Sequence, residues 1–252
     1  MRVVLTRPRL EAGRWAQALG ARGHEVVLLP LIEIAPAPDV DSLRRAADAL
    51  PDYQAAMFVS GSAVRGFFDR PVSWPGATRA WCTGPGTARA LQESGVPAAN
   101  IDVPDGNAAQ FESESLWPLV SDQVRAGTRV LLVRGAGADG RPSGRDWLAS
   151  RLEAAGARVD VVASYTRQAP DWSEMERASA SQAARDGSTW LLSSSEAVAH
   201  LRTLLPDVPL SHARAVATHE RIAQAARDAG FGVVCLSRPS EDAVTATLES
   251  IG

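Results

Sequence analysis

The chain has 252 residues, of which 45% are hydrophobic and 22% charged, with a formal net charge of −3 at pH 7. This is the composition of an ordinary globular protein, and so small a net charge excludes a global basic field for nucleic acid. No apolar run is long enough to span a bilayer and the start does not resemble a signal peptide, so we expect a cytoplasmic protein without membrane contact. All 26 basic residues are arginine, which excludes lysine Schiff bases and a P-loop lysine.

Alternating strands and helices are predicted along the chain. It opens with a strand at Val3–Thr6, an amphipathic helix at Leu10–Ala21 and a strand at Glu25–Leu29. Further strands, with helices between them, are predicted at 55–60, 79–83, 100–103, 129–134, 158–163, 188–192, 214–217 and 232–236. Proline-punctuated linkers are predicted near residues 31–38 and 163–170. This order predicts the α/β class, with parallel sheets covered by helices on both faces.

The predicted elements recur in an interleaved order. The stretch that begins Arg2–Arg7 returns at Arg129–Arg134, and the unit at Tyr53–Gly95 is answered by Ser188–Gly230. Each copy is too long for a solenoid repeat, so two similar domains that face each other across a cleft are the better interpretation. The repeat order alone leaves open whether the domains are in tandem or exchange segments.

Small and hydroxylated residues follow the predicted strands. In parallel sheets, ligands bind outside the carboxyl ends of the strands. The turns in question are Thr6-Arg7-Pro8, Ser60-Gly61-Ser62, Thr83-Gly84-Pro85-Gly86-Thr87, Arg134-Gly135-Ala136-Gly137, Ser193-Ser194-Ser195 and Ala217-Thr218-His219. Taken singly, each is better explained as a helix N-cap. Together they predict a set of N–H, hydroxyl and arginine donors for several carboxylates or phosphates.

One glycine-rich segment offers an alternative function. Gly135–Gly140 fits the dinucleotide fingerprint after a strand, with Asp160 at about the expected distance downstream. Pro142 and Gly144 follow at once, so the next helix is predicted to begin only near Arg145. A dinucleotide-binding enzyme is therefore a disfavoured alternative.

Conventional catalytic groups are scarce. The four histidines show no metal-ligand spacing, so no metal is predicted, and no serine lies in G-x-S-x-G. Cys82 and Cys235 lie in apolar, strand-like contexts, where reduced core cysteines are expected rather than a disulfide. Tyr165 stands where the second linker begins, and by position alone it could be an amphipathic linker residue.

Short motifs over nearly the whole chain resemble the uroporphyrinogen-III synthase family. The motifs are Leu5–Pro8, Phe58–Val64, Thr83–Ala88, Arg134-Gly135 with Gly144–Leu148, Ser164–Arg167 and Leu192–Val198. The resemblance implies one domain of residues 1–35 plus 169–252 and an inserted domain of residues 36–168, with the two linkers paired as a two-stranded ladder. It also implies a cofactor-independent lyase of tetrapyrrole (haem, sirohaem, cobalamin) synthesis, which closes hydroxymethylbilane to uroporphyrinogen III with loss of water and inversion of the last ring.

The resemblance also implies roles for individual residues. Tyr165 would donate a proton to the departing hydroxyl, or orient it, and Ser60, Thr87 and Ser194 match hydroxyls of the family's cleft. Together with the turns, it predicts these substrate-binding residues: Arg7, Ser60, Gly61, Ser62, Gly84, Gly86, Thr87, Arg134, Gly135, Arg145, Ser194, Ser195, Thr218 and His219. One position departs from the family, because Glu220 stands where many members have threonine. Either its carboxylate points away from the substrate, or Thr218, His219 and Arg221 take over the contact.

The expected partner is a linear tetrapyrrole, with neither nucleic acid nor membrane involved. We expect a monomer that makes transient contact with the hydroxymethylbilane synthase. A non-catalytic tetrapyrrole- or anion-binding module of the same fold is the main alternative to an enzyme.

Overall fold

The computed structural model describes residues 1–104 and 113–251, which form two compact units. Unit 1 comprises Met1–Glu33 and Gln168–Gly252, and unit 2 comprises Ile34–Arg167. In chain order the strands are β1 (Arg2–Leu5), β2 (Glu25–Leu28), β3 (Glu33–Ala35), β4 (Ala55–Phe58), β5 (Arg79–Cys82), β6 (Ile101–Asp102), β7 (Arg129–Ala136), β8 (Arg158–Gln168), β9 (Thr189–Leu192), β10 (Arg214–Ala217) and β11 (Val233–Leu236). The α-helices are α1 (Arg9–Ala21), α2 (Val40–Asp48), α3 (Gly61–Phe67), α4 (Pro85–Glu93), α5 (Ser113–Val120), α6 (Trp147–Ala154), α7 (Glu174–Ala183), α8 (Ser195–Leu204), α9 (Glu220–Asp228) and α10 (Glu241–Ile251).

Unit 1 is built on a five-stranded sheet in the order β11-β10-β9-β1-β2, with parallel ladders. One face is covered by α1 and α10, whose Trp15 and Leu248 join Leu5 of β1 in a single buried cluster. After β1 the chain moves outward to β2 at one edge of the sheet, and after β9 it moves through β10 to β11 at the other edge. Because such crossovers are right-handed, α8 and α9 lie on the opposite face from α1.

Unit 2 is built on a six-stranded sheet in the order β3-β8-β7-β4-β5-β6. The ladders from β8 to β6 are parallel. Successive residues of β4 point to opposite faces, as the strand period requires. Phe58 packs with residues of α3 and α4, whereas Met57 packs with residues of α5 and α6. The sheet is therefore buried on both sides, and the predicted α/β class with two parallel sheets is confirmed.

The sequence repeat corresponds to a repeat of topology. In unit 1 the strands β9, β10 and β11 lie in the same order as β4, β5 and β6 in unit 2, and β1 and β2 correspond to β7 and β8. The register is also shared, because Leu5 pairs with Leu191 as Leu132 pairs with Met57. Arg7 and Arg134 consequently occupy equivalent positions in the two units.

Two strands run further than the sequence predicted. β7 continues to Ala136, beyond the predicted end at Arg134, so the prediction that Gly135 and Ala136 lie in a strand-to-helix turn is wrong. The reason is that the returning chain pairs with the extension: Ser143 N–H donates to the Gly135 carbonyl, and Ala136 bridges Pro142 in antiparallel fashion. β8, predicted to end at residue 163, continues to residue 168 because β7 and β3 flank it.

Within the described part of the chain, none of the helices has both the length and the apolar character that a membrane span requires.

A polar cluster joins the starts of β7 and β8 in unit 2, at the opposite edge of the sheet from the strands' carboxyl ends. Tyr53 Oη donates to Asp160 Oδ2 at 2.8 Å, and Arg129 Nη2 donates to the same oxygen at 2.9 Å. The Arg129 guanidinium carbon lies 4.6 Å from the centroid of the Tyr53 ring. The bonds from Arg129 and Tyr53 lower the pKa of Asp160, whereas burial first and the carboxylate second raise the pKa of Tyr53 to about 12.

We expect Asp160→Asn to destabilise the protein in a pH-dependent way. Because the native pKa of Asp160 is lowered, its carboxylate stabilises the fold above the unfolded value of about 3.9, and this contribution is lost as the pH falls through the native value. Asp160 is half exposed, so the loss at pH 7 should be about 1 kcal/mol or less. Urea unfolding at pH 7 and at pH 3, with exposed Asp69→Asn as control, measures it. An equal deficit at both pH values would contradict the expectation.

Candidate functional site

The sheet of unit 2 reverses its winding direction between β4 and β7, so the loops that follow these two strands diverge at its carboxyl edge. Such a switch point is where open parallel sheets bind ligands. Ser60 follows β4, and Arg134 and Gly135 lie near the carboxyl end of β7. The structure thus brings three of the predicted site residues to one edge of the sheet.

Ser60 caps α3 and also reaches Tyr165. Its Oγ accepts a hydrogen bond from the Ala63 N–H at 3.1 Å and lies 3.3 Å from Tyr165 Oη, at hydrogen-bonding distance. Ser60 is partly exposed, whereas the Tyr165 side chain is 95% buried, since its relative exposure is only 5%. The phenol oxygen therefore lies beneath the serine hydroxyl. Of the next two predicted residues, Gly61 begins α3, and Ser62 is buried and accepts from Arg65 Nη2 at 3.1 Å.

Arg134 is buried and already neutralised within unit 2. Its Nη1 donates to Asp146 Oδ1 at 2.8 Å and its Nη2 to the Arg145 carbonyl at 3.3 Å. The Nε is buried without a hydrogen-bond partner among the described residues. Arg145, also predicted to bind substrate, pairs with Glu114. Both arginines of this unit's predicted set therefore have an acidic partner.

The start of α4 lies beside these residues, because it follows β5, the neighbour of β4. Gly84 is its N-cap and supplies no side chain to the first N–H groups. A Cβ on Gly86 would meet no atom within 4 Å, whereas Thr87 is buried with its N–H bonded to the Gly84 carbonyl. At the end of β5, burial raises the pKa of Cys82 to about 12, so its thiol stays protonated at neutral pH.

The corresponding switch point of unit 1 lies between β1 and β9. Thr6 Oγ1 donates to the Leu191 carbonyl at 2.6 Å and so ties the two strands together. Ser194 is the N-cap of α8, and its side chain makes no capping hydrogen bond in the described structure. Ser195, the first residue of the helix, is exposed.

Arg7 differs from its counterpart Arg134. Its guanidinium carbon lies 4.6 Å from the centroid of the Trp15 ring, whereas its Nε, like that of Arg134, is buried with no hydrogen-bond partner among the described residues. Burial lowers the pKa of Arg7 below its ordinary value, although Glu11 and Glu241 act in the opposite direction. Arginine keeps its charge in proteins, so a partly desolvated cation lies at this edge of the sheet.

The loop before α9 lies at the same edge, after β10. Thr218 N–H donates to the Leu192 carbonyl, and Nδ1 of His219, the N-cap, accepts from the Arg221 N–H at 3.0 Å. Glu220 is exposed and pairs with Arg227 of its own helix at 3.1 Å. This arrangement agrees with the first of the two alternatives for Glu220, a carboxylate in the first helical turn that is turned to solvent.

Two residues of this region, Ser164 and Gly66, were not predicted as site residues. Ser164 Oγ donates to the Ala63 carbonyl at 2.9 Å, and a Cβ on Gly66 would lie 2.1 Å from the Ser164 carbonyl oxygen. The one signal available was Gly66 itself, because a glycine inside a helix is unfavourable and calls for a packing reason.

The structural context of a dinucleotide fingerprint is not found. Gly137 and Arg141 close a tight turn, and the chain returns along β7 before α6 begins at Trp147. The glycines therefore do not lead into a helix N-terminus. In the described part of the chain, no three His, Cys, Asp or Glu side chains are grouped to hold a metal ion.

Comparison with known proteins identifies the family. The uroporphyrinogen-III synthase HemD family model, HEM4, matches residues 13–246. The chain belongs to the uroporphyrinogen-III synthase family.

Two solved structures have the same fold. A uroporphyrinogen-III synthetase from Helicobacter pylori is 16% identical, with all of both chains covered and a TM-score of 0.59. A mutant uroporphyrinogen III synthase from the extremely thermophilic bacterium Thermus thermophilus is 19% identical, with 100% of this chain and 98% of that chain covered and a TM-score of 0.57. At these identities the likeness supports the two-sheet α/β fold alone, whereas the family match supports an enzyme of tetrapyrrole synthesis.

We expect Asp146→Ala to destabilise the protein more than the exposure of Asp146 suggests. Removing the carboxylate leaves the Arg134 guanidinium buried without its acidic partner, which should cost about 1–3 kcal/mol. Arg134→Met in the same background removes the buried charge and should recover most of the loss. Urea unfolding measures both variants, with Glu153→Ala on the exposed side of α6 as control. An Asp146→Ala variant as stable as the wild type would contradict this account of the pair.

Proposed function

We propose that this chain is a uroporphyrinogen-III synthase that closes hydroxymethylbilane to uroporphyrinogen III, with loss of water and inversion of the terminal ring. On this proposal it is a cofactor-independent lyase, cytoplasmic and monomeric, and units 1 and 2 are its two substrate-binding domains. The match of the family model to residues 13–246 is the observation that carries the proposal. The donors at the carboxyl edges of both sheets support it.

These hydrogen-bond donors suit a reaction in which the enzyme positions the substrate more than it activates it. Pyrrole nitrogen assists the loss of hydroxide from the substrate, and unassisted closure gives the un-inverted ring. The enzyme must therefore hold the terminal rings so that the substituted carbon attacks, a task of positioning. Helix N-termini such as that of α4 in unit 2 and that of α8 in unit 1, with the hydroxyls of Ser60 and of Ser194 in the respective units, can bind the substrate's carboxylates without any group of unusual reactivity.

Tyr165 and Ser60 are proposed to serve the departing hydroxyl. A phenol is protonated at neutral pH and can donate a hydrogen bond without special tuning. Ser60 Oγ already accepts from the Ala63 N–H, so its own proton is available for a second partner. Since Ser60 is the more exposed of the two, we expect the phenol to act beside or through the serine hydroxyl.

Arg7 is the proposed binding group for a substrate carboxylate in unit 1. Its guanidinium is partly desolvated, whereas that of the equivalent Arg134 donates to Asp146; the Nε of each is buried with no hydrogen-bond partner among the described residues. A guanidinium is well matched to a carboxylate, and stacking on Trp15 holds its plane in place. The same donors could also serve a non-catalytic anion-binding module, so binding alone does not establish the enzyme.

Isomer analysis distinguishes the enzyme from the module. The protein is incubated with hydroxymethylbilane generated enzymatically in place, and the oxidised porphyrin isomers are separated. We expect the product to change from type I, which forms without protein, to type III. A protein that binds the tetrapyrrole and leaves the isomer ratio unchanged would be the binding module.

We expect Arg7→Gln to weaken substrate binding with little effect on the chemical step. Loss of one charge-assisted contact should raise KM about tenfold and leave kcat within about twofold. Exposed Arg185→Gln, in the same unit, is the matched control. Unchanged KM in the Arg7→Gln variant would remove Arg7 from the proposed binding set.

A further inference from the structure

β8 contains a bulge immediately before Tyr165. Its register with β7 passes from Arg134↔Ala163 to Gly135↔Tyr165, so Ser164 has no partner residue in β7. The Ser164 hydroxyl reaches the Ala63 carbonyl on α3, and Tyr165 belongs to the buried cluster on that face. Two consecutive side chains thus point to the same face of the sheet, an arrangement that regular alternation forbids and a bulge permits.

Gly135 lies directly under the Tyr165 ring. A Cβ at this position would lie 2.5 Å from Tyr165 Cζ and 2.9 Å from its Oη. Gly135 is not among the glycines with positive φ, so its backbone conformation is open to any residue and space alone requires glycine. Any larger residue would displace the end of the ring that carries the hydroxyl.

Gly66 makes the corresponding close approach from α3. Its missing Cβ lets the helix contact the Ser164 carbonyl, and its φ is likewise not positive. Gly66 and Gly135, at each of which a Cβ would come within 3.0 Å of another atom, flank the bulge. Glycines on two different elements therefore make room for the same pair of residues.

We propose that Gly135 is a positioning residue for the reaction: with Gly66 and the bulged Ser164 it forms a socket that holds the Tyr165 hydroxyl against Ser60. The inference rests on the proposed function, because it assigns to the socket the placement of the group that serves the departing hydroxyl. Gly135 has no side chain to offer a substrate, and its contact is with Tyr165, so it acts through the tyrosine.

The test compares Gly135→Ala with Tyr165→Phe. Each variant is expected to lower kcat about ten- to a hundredfold with little change in KM, because a misplaced hydroxyl is lost to the reaction much as a deleted one is. Gly135→Ala in the Tyr165→Phe background should cost less than about threefold more, since the two changes remove one function. Gly76→Ala, in the same unit and with open space around its Cβ, should keep the wild-type rate.

The position of the tyrosine is measured separately from activity. The chain has two tyrosines, so a protein labelled with ¹³C at tyrosine Cζ gives two signals, and Tyr53→Phe identifies that of Tyr165. We expect Gly135→Ala to shift the Tyr165 signal and leave the Tyr53 signal in place. A Gly135→Ala variant with an unmoved Tyr165 signal and the wild-type rate would refute the socket. A wild-type rate in Tyr165→Phe would refute the catalytic role of Tyr165, and the NMR measurement would still test the socket.

Folding is the remaining control. If Gly135→Ala does not fold, Tyr165→Leu is combined with it, because the shorter side chain leaves room for the methyl group. The double variant is then expected to fold and to melt near the temperature of Tyr165→Leu alone. A double variant that also fails to fold would refute a clash confined to the tyrosine ring.

Discussion

The burial of both faces of each parallel sheet is the constraint on which the rest of the structure depends. Crossovers between parallel strands are right-handed, so the direction in which the chain moves along the sheet decides which face its helix covers. To cover both faces, the chain must move from the middle of each sheet toward both edges. The reversal falls between β4 and β7 in unit 2 and between β1 and β9 in unit 1. Two divergent loops at the carboxyl edge follow in each case, whatever their sequence, and they supply the place where donors can collect.

The two units share this topology but differ in the surroundings of their equivalent arginines and serines. Arg134 is covered and paired with Asp146, whereas the guanidinium of the equivalent Arg7 stacks on Trp15. The two equivalent serines differ likewise, because Ser60 caps its helix and reaches a phenol, while the Ser194 side chain makes no capping bond in the described structure. One repeat thus has two hydroxyls within hydrogen-bonding distance of each other, and the other has an arginine stacked on an aromatic ring.

Features that depend on a local sequence pattern could be predicted from the sequence, whereas features that depend on the register of two strands could not. Strand periodicity predicted β4 and β9 and hence Ser60 and Ser194 at the ends of strands. Gly135 and Ala136 were misplaced in a turn, because the antiparallel return of Pro142 and Ser143 extends β7 and no local sequence pattern predicts this pairing. The bulge at Ser164 is equally invisible in one strand, since it exists only relative to β7.

Burial of Tyr165 determines how a phenol can serve this site. The ring lies in an apolar cluster with Phe58 and Phe67, and Ser60 Oγ lies within hydrogen-bonding distance of Oη. On the proposed function, a group held in this way is in place before the substrate arrives, so no reorganisation would be needed when the leaving group departs. The glycines that make room for it give up favourable packing and helix propensity. This loss of stability is expected where the position of the hydroxyl is more important than the stability of the sheet edge. The proposed reaction meets that condition, because its product depends on how the rings are positioned rather than on the strength of an acid.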